Sequence, residues 1–405
     1  MKVVILHQHF KIPQHGGAIR SYYLARALVE KGVNTVVITG HKEPGYRNEN
    51  VEGIEVHYLP VPYDNRFGFN RRVYAFFQFV IKSVRFAARH RDADRCYAIS
   101  TPLTTGLAAM LIRRLYKLPY IFEVGDLWPD APIEMGFIRN PFLKRMLHRM
   151  EKAIYRRAES IVALSPAIRD VIREKISGRT IHILPNMADT DFFRSEKKNP
   201  DLEEKFNVKG KFVVAYIGAM GVANGLHYIL ESAQASQREG LPIYFLLCGD
   251  GAMLDELKKS AQKFSLQNLS FLPFRNRHGV GEILNVTDAS FTSYLPVTIL
   301  ETGSPNKYFD GLAAGKLSVI NFEGWIREEI ESEGCGVYVN PSEPLDFVQK
   351  IKPFLEDEVL LKKYQRAGRA LAERKYARRI LGEKFYKVVV GDTQFFEAYP
   401  NPTIH

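Results

Sequence analysis

Short apolar runs alternate with longer segments of helical spacing along the first half of the chain. The run "KVVIL" (2–6) is followed by a glycine-containing loop, a helix-like stretch ending at Gly32, and a second run, "VNTVVITG" (33–40). Strand, helix and strand in short succession predict a parallel βαβ unit. The same alternation predicts strands at 95–100, 120–125, 160–165 and 180–186, and helices over 103–116 and 141–157.

The pattern restarts after a charged, proline-containing stretch at 195–206, which we interpret as a linker. "FVVAYIGAMGVANG" (212–225) is typical of a strand that enters a glycine-rich loop and then a helix. Further strands are expected at 243–251, 269–274, 289–294 and 317–322. The sequence therefore predicts an α/β protein of two Rossmann-like, doubly wound domains facing a cleft, with ligands at the carboxyl ends of the strands.

Composition narrows the class of protein. The 405 residues are 46% hydrophobic, which is typical of a globular chain with a full core. Three distant cysteines without metal spacing indicate reduced thiols in a cytosolic protein. We expect neither a signal peptide nor a transmembrane helix. The net charge of +11 favours an anionic partner: nucleic acid, membrane or a phosphorylated ligand.

The stretch "TGSPNKYFDGLAAGK" (302–316) predicts a short helix with one misplaced residue. Ser304 suits the N-cap, Pro305 the first helical position, and Gly315 the left-handed closing position. Lys307 would then stand in the first turn, where a cation costs about 0.3–1 kcal/mol against the helix dipole.

Two interpretations of Lys307 remain open. It could form an ordinary surface pair with Asp310, three residues further on, worth about 0.2–0.5 kcal/mol. Alternatively, a diphosphate could bind at the helix start, with Lys307 and backbone N–H groups around it and Asp310 on a ribose diol. The second interpretation removes the misfit.

Other loops carry candidate chemistry. Gly16 and Gly17 stand before a helix, where bare N–H groups can meet an anion, although the G-x-G-x-x-G fingerprint is absent. The neighbouring histidines lack a carboxylate or cysteine at metal spacing, so a metal site is not favoured. "EVGDLWPDAP" (123–132) places Asp126, Trp128 and Asp130 after a strand, where they could bind a sugar or hold a reacting hydroxyl, or form only an Asx turn beside a core tryptophan.

These motifs together resemble the retaining family 4 glycosyltransferases, which have the GT-B fold. The resemblance covers nearly the whole chain and rests on the first loop, "DLWPD", "LPNMADTDFF" (184–193), "GDG" and above all "SPNKYFDGLAAGK". It is strongest to enzymes of bacterial surface-polysaccharide assembly, such as that of O-antigen or capsule. The family implies a nucleotide-sugar donor, here UDP-linked, and no metal or other cofactor.

The resemblance also implies roles for matched positions: Gly17 would approach the donor phosphates, Asp310 would bind the ribose and Lys307 would lie near the phosphates. We expect Lys307 and Asp126 to be catalytic, and Trp128 and Asp130, which follow the same strand as Asp126, to face the acceptor. The expected donor-binding residues are Gly16, Gly17, Gly218, Asn224, Gly249, Arg275, Arg277, Glu301, Ser304, Pro305, Asn306, Lys307 and Asp310.

The chain departs from the family pattern at three positions. Thr302 stands where the family has its first acidic residue, with Glu301 one place off. Ala219 and Asn224 replace the usual Arg and Lys of the loop. Lys307 and either Arg275 or Arg277 are the candidate replacements for these cations.

Segment 66–91 contains seven Arg or Lys and no acid. On a helix it has an apolar stripe with a mostly basic stripe opposite, and Phe79 and Phe86 flank the basic stripe. These two phenylalanines are expected to be exposed, which favours an anionic bilayer over a plain solvated face. The apolar stripe consists of Val73, Phe76, Phe77, Val80, Val84 and Ala88. The mostly basic stripe consists of Arg71, Gln78, Lys82, Arg85 and Arg89.

The resulting hypothesis is a retaining hexosyl or N-acetylhexosaminyl transferase, peripheral to the cytoplasmic membrane face. Its acceptor would be a saccharide or a polyprenyl-linked saccharide. The predicted domains are an acceptor domain at 1–190 and a donor domain at 200–375, followed by a final helix at 376–405 that crosses back to the first domain. A GT-B sugar-nucleotide epimerase is the alternative. Nucleic-acid binding is not expected, because no recognised nucleic-acid module is present.

Overall fold

A computed structural model describes residues 1–13, 19–64 and 67–392. These residues form two compact units. The first comprises residues up to 185 together with the segment from 379, and the second comprises 186–378.

In its described residues the first unit is built on a mixed sheet in the order β3-β4-β2-β1-β5-β6-β7-β8, parallel except for the β3–β4 pair. Val4 at its centre pairs with Val36 on one side and Cys96 on the other. The strands are β1 (Lys2–Leu6), β2 (Asn34–His41), β3 (Arg47–Val51), β4 (Ile54–Pro60), β5 (Arg95–Ile99), β6 (Tyr120–Val124), β7 (Ile161–Ala163) and β8 (Ile181–Ile183). The helices are α1 (Arg20–Glu30), α2 (Phe69–Ala87), α3 (Thr104–Tyr116), α4 (Asp130–Glu134), α5 (Pro141–Arg157) and α6 (Pro166–Lys175).

The second unit has a wholly parallel sheet in its described residues, in the order β11-β10-β9-β12-β13-β14. Its strands are β9 (Phe212–Ile217), β10 (Ile243–Cys248), β11 (Leu269–Leu272), β12 (Ala289–Thr292), β13 (Leu317–Ile320) and β14 (Gly336–Tyr338). Its helices are α7 (Pro200–Lys205), α8 (His227–Arg238), α9 (Leu254–Lys263), α10 (Arg277–Val286), α11 (Thr298–Glu301), α12 (Asn306–Ala313), α13 (Trp325–Ser332), α14 (Pro344–Glu356) and α15 (Glu358–Leu371). Helix α7 therefore occupies part of the stretch that we interpreted as a linker.

The last helix, α16 (Arg378–Val390), packs on the first unit. Phe385 lies against Tyr97 with ring centroids 4.8 Å apart, and Lys31 forms an ion pair with Glu383 at 2.5 Å. A Cβ at Gly382 would lie 3.0 Å from Ala27 Cβ, so helices α16 and α1 meet at close range.

Helix α2 presents a different face to solvent from the one expected. Phe79 and Phe86 are both buried. Phe86 packs on His57 and Tyr46 of the β3–β4 region, which the sequence pattern did not predict. Lys82 is half-buried, and its Nζ donates to the Pro60 carbonyl at 2.5 Å. The exposed stripe is instead Arg71, Tyr74, Phe77, Ile81 and Arg85, and exposed Arg89 follows in the turn after the helix.

None of the helices in the described ranges is both long enough and apolar enough to cross a bilayer.

Candidate functional site

The start of α12 lies at the carboxyl edge of the second sheet. Pro305 is the N-cap, and no side chain caps the helix. The expected Ser304 cap is therefore wrong: Ser304 Oγ accepts from the Asn186 N–H at 3.2 Å, and the Ser304 carbonyl accepts from Asn186 Nδ2 at 2.5 Å. The "LPN" and "SPN" stretches are thus bonded to each other. Gly315 adopts φ +62°, as predicted.

Lys307 makes no ion pair with any described carboxylate, so the surface pair with Asp310 is not formed. Its Nζ donates to the Tyr216 hydroxyl at 2.8 Å and lies 4.1 Å from the centroid of that ring. The side chain is half-buried, and burial lowers the pKa of Lys307 from 10.5 to about 7. The helix start therefore holds a lysine that, when protonated, has no carboxylate partner among the described residues.

Asp310 lies one turn further into α12. Burial raises the pKa of its half-buried carboxyl to about 7, against a smaller opposing effect of Arg277. Within the described chain its carboxylate has no hydrogen-bond or ion-pair partner. A ligand that donates hydrogen bonds, such as a diol, would satisfy this group.

Tyr216, which the sequence analysis missed, links Lys307 to the glycine-rich loop. It is buried at the end of β9, and its hydroxyl donates to the Ala219 carbonyl at 2.6 Å while accepting from Lys307. A Cβ at Gly218 would lie 3.1 Å from Lys307 Cε, so the bare face of this glycine is turned toward the lysine. The sequence feature that could have identified Tyr216 is its position just before a glycine-rich turn.

Close packing of two loops explains Gly249. The Gly218 N–H donates to the Cys248 carbonyl at 2.9 Å, and a Cβ at Gly249 would fall 1.8 Å from the Gly218 carbonyl oxygen. Only glycine fits there, whatever binds above it. Asn224, also predicted to bind the donor, accepts from the Gly221 N–H at 3.2 Å through Oδ1 and so holds the loop shape.

The two candidate arginines differ in their surroundings. Arg277 forms an ion pair with buried Asp189, which also pairs with Arg378, and its guanidinium lies 4.1 Å from the centroid of Phe192, so its side chain is already engaged within the protein. Arg275 follows β11 and is exposed. Arg275 is therefore the better candidate for a second phosphate cation.

Glu301 ends α11 and is half-buried. Burial, with a smaller contribution from Glu323, raises the pKa of its carboxyl. The neighbouring Thr302 hydroxyl donates to the Ile299 carbonyl at 2.8 Å. Asn306, at the first turn of α12, is exposed.

The loop after β6 carries the predicted acceptor residues of the first unit. Asp126 is exposed and accepts from Thr101 Oγ1 at a long 3.4 Å, whereas Trp128 is half-buried. Asp130 was expected to face the acceptor. It is instead committed to an ion pair with Lys175, which also binds fully buried Glu151 at 2.6 Å, so Asp130 has a structural role.

A buried ion pair anchors the start of α1, beside the first glycine-rich loop. Arg20 binds the buried Glu123 carboxylate through two bonds of 3.0 and 3.1 Å and also donates to the Leu184 carbonyl at 2.8 Å. A glutamate inside the apolar run "YIFEVG" requires such a partner. Gly16 and Gly17 lie outside the described residues.

Two family models cover most of the chain: a glycosyl transferase 4-like domain at residues 15–187 and glycosyl transferases group 1 at 198–373. The chain belongs to the family 4 glycosyltransferases with the GT-B fold. It is 22% identical over 311 residues to the putative colanic acid biosynthesis glycosyl transferase WcaI of Escherichia coli K12, covering 71% of this chain and 72% of WcaI.

Solved structures support the fold of this glycosyltransferase. Sucrose-phosphate synthase of Thermosynechococcus elongatus superposes with a TM-score of 0.78 at 14% identity, covering 98% of this chain and 99% of that one. Anabaena HepE in complex with UDP-glucose superposes with a TM-score of 0.73 at 16% identity, covering 96% and 100%.

Proposed function

We propose that this glycosyltransferase transfers a sugar from a UDP-linked donor, with retention, to a saccharide or lipid-linked saccharide in bacterial polysaccharide assembly. The observation that carries the proposal is Lys307, a half-buried cation at a helix start that no described carboxylate neutralises. An anionic ligand supplies the missing partner. WcaI supports the polysaccharide pathway, and the UDP-glucose complex of HepE supports the nucleotide.

In this mechanism the donor diphosphate binds at the start of α12, near the Gly218 turn. Lys307 and the helix N–H groups stabilise the charge that develops on the leaving diphosphate, which is usually the largest single catalytic contribution. We propose that exposed Arg275 adds to this stabilisation, and that Asp310, whose carboxylate has no partner among the described residues, accepts from the ribose diol. Gly16 and Gly17 keep their predicted role beside the phosphates. These cations replace a metal ion, so the reaction is proposed to be metal-independent.

On the acceptor side, Asp126 is the candidate base for the attacking hydroxyl, and Trp128 is the candidate surface for a sugar ring. Asp126 is exposed at the carboxyl end of β6 and is engaged only by the long contact from Thr101 among described residues. A retaining reaction could instead use the leaving phosphate as base, which a variant of Asp126 distinguishes.

The protein is also proposed to bind the cytoplasmic face of an anionic membrane through segment 66–91. The corrected exposed stripe of α2 supports this better than the predicted one, because Tyr74, Phe77 and Ile81 lie between arginines and are about half or more exposed. Aromatic side chains among cations suit the headgroup boundary of a bilayer. A polyprenyl-linked acceptor would be reached from that surface.

The decisive test is nucleotide binding measured by thermal shift with UDP, GDP, ADP and dTDP, on wild type and Lys307→Met. UDP at a hundred times its Kd should stabilise the wild type by about 2.7 kcal/mol and the variant much less. No stabilisation by any nucleotide would refute the donor site. Incubation with UDP-sugar alone separates the epimerase alternative, since only an epimerase would convert the donor without acceptor.

A further inference from the structure

Helices α2, α3 and α5 form one layer on the first unit, with α3 packed between the other two. The connections β4 to β5, β5 to β6 and β6 to β7 all run in the same direction across the sheet. Right-handed crossovers therefore place these three helices on the same side of the sheet, together with α6 in the β7 to β8 connection. Their outward faces form one continuous surface.

The outward face of α5 carries an apolar row beside a basic row. Phe142 and Met146, four residues apart, are 76% and 49% exposed. Arg145 and Arg149, also four apart, are exposed alongside them. At the end of α3, Leu115 is exposed next to Arg114.

Acidic side chains are almost absent from α2, α3 and α5, whereas α6 at the edge of the layer carries exposed Asp170 and Glu174. The three helices contain twelve Lys or Arg residues and one acid, Glu151. Glu151 is fully buried and bonded to Lys175, so it does not offset the outward charge. An ordinary solvated helix face carries charges of both signs, and it does not include a phenylalanine side chain that is three quarters exposed.

We propose that the α5 stripe, with the end of α3, is a second surface for an anionic phospholipid bilayer, so that the whole α2–α3–α5 layer lies on the membrane. The alternation of apolar and cationic rows matches the depth profile of a bilayer: Phe142 and Met146 reach the acyl boundary, while the arginines extend to the phosphates. An RNA or an acidic protein would match the charge but not the apolar row. This inference rests on the proposed membrane location. It adds to that proposal the helix that determines which face of the first unit contacts the bilayer.

The test is flotation with vesicles of phosphatidylglycerol and phosphatidylcholine, compared with phosphatidylcholine alone. Wild type should float only with the anionic vesicles. R145E/R149E should lower the partition coefficient at least twenty-five-fold, taking about fivefold for each cation lost. K258E/K259E, which changes two exposed lysines on α9 of the second unit, makes the same charge change and should leave flotation intact.

A tryptophan reporter tests insertion itself. Phe142→Trp should gain emission that brominated acyl chains quench, and the native tryptophans of the wild type provide the baseline. Wild-type flotation by R145E/R149E, equal loss in K258E/K259E, or an unquenched reporter would each overturn the inference. If only R71E/R85E/R89E on α2 loses flotation, the proposed membrane location stands and the α5 surface is refuted. Thermal unfolding of each variant confirms that it is folded.

Discussion

The pH dependence of UDP binding is the sharpest test of the role of Lys307. With a pKa of about 7 in the free protein, half of the lysine is protonated at pH 7 and about one hundredth at pH 9. A diphosphate binds the protonated form, so the dissociation constant of UDP should rise about fifty-fold between pH 7 and 9, or about 2.3 kcal/mol. UDP itself changes little in this range, because a phosphate group that loses its last proton near pH 6 is already about nine-tenths ionised at pH 7.

Calorimetric titration of UDP at half-unit steps from pH 7 to 9 measures this slope. Lys307→Met keeps most of the length of the side chain and should bind weakly, with at most about a twofold change over this range, which comes from Asp310, because the pKa of that carboxyl is also about 7. The much larger slope of the wild type therefore belongs to Lys307. Tyr216→Phe removes the hydroxyl that holds the ammonium and should weaken binding at every pH. A pH-independent wild type, or an equal slope in Lys307→Met, would refute the reasoning.

The pH dependence of the unfolding free energy is a second test of Lys307, and the lowered pKa fixes the direction of the expected change. Because the folded pKa of Lys307 lies below its unfolded value of 10.5, the folded state disfavours the charge, and that cost is fully present below pH 7. Lys307→Met should therefore melt at a higher temperature than wild type at pH 7. The difference should shrink as the pH rises toward 10.5, by at most about 1.4 kcal/mol per pH unit, and by less because the side chain is only half-buried. Constant separation of the two melting curves would contradict the assigned shift.

Three further variants and one condition test the rest of the site. Asp310→Asn should weaken UDP but not inorganic pyrophosphate in competition binding, since only UDP has a ribose; equal weakening would remove the ribose role. Asp126→Asn should lower kcat for transfer while the Kd of UDP stays unchanged, and a wild-type rate would exclude the carboxylate as base. Ser304→Ala deletes the acceptor of the Asn186 N–H and should cost about 1 kcal/mol of unfolding free energy, seen as a lower melting temperature. EDTA should leave transfer unchanged, and a loss restored by magnesium would disprove metal independence.

Local patterns predicted the parallel strands, the glycine-rich turns and the edge of the sheet where the candidate site lies. They could not predict partners far apart in the chain. Lys307 meets Tyr216 across 91 residues and Ser304 meets Asn186 across 118, and no periodicity encodes such pairs. The structure has an interaction between Lys307 and Tyr216 where one of the two interpretations had a surface pair with Asp310.

The incorrect prediction that Phe79 and Phe86 of α2 are exposed also comes from contacts between distant parts of the chain. Helical periodicity gives one apolar stripe, but this helix is covered on more than one side, by its sheet, by α3 and by the β3–β4 region. Phe79 and Phe86 are buried by those additional contacts, and Lys82 is held by Pro60. Because the β3–β4 pair was not recognised, nothing in the sequence indicated that this flank of the helix would be covered.

The contact between Gly218 and Gly249 limits how this enzyme can be redesigned. The two turns follow neighbouring strands and touch backbone to backbone, so neither can be exchanged for a longer or branched loop without displacing the other. A chimera that imports only the β9 turn from a transferase of different sugar preference would be expected to misfold locally at Cys248–Gly249. The practical unit of grafting is therefore the pair of turns, transplanted together with the Tyr216 and Lys307 side chains that brace the first of them.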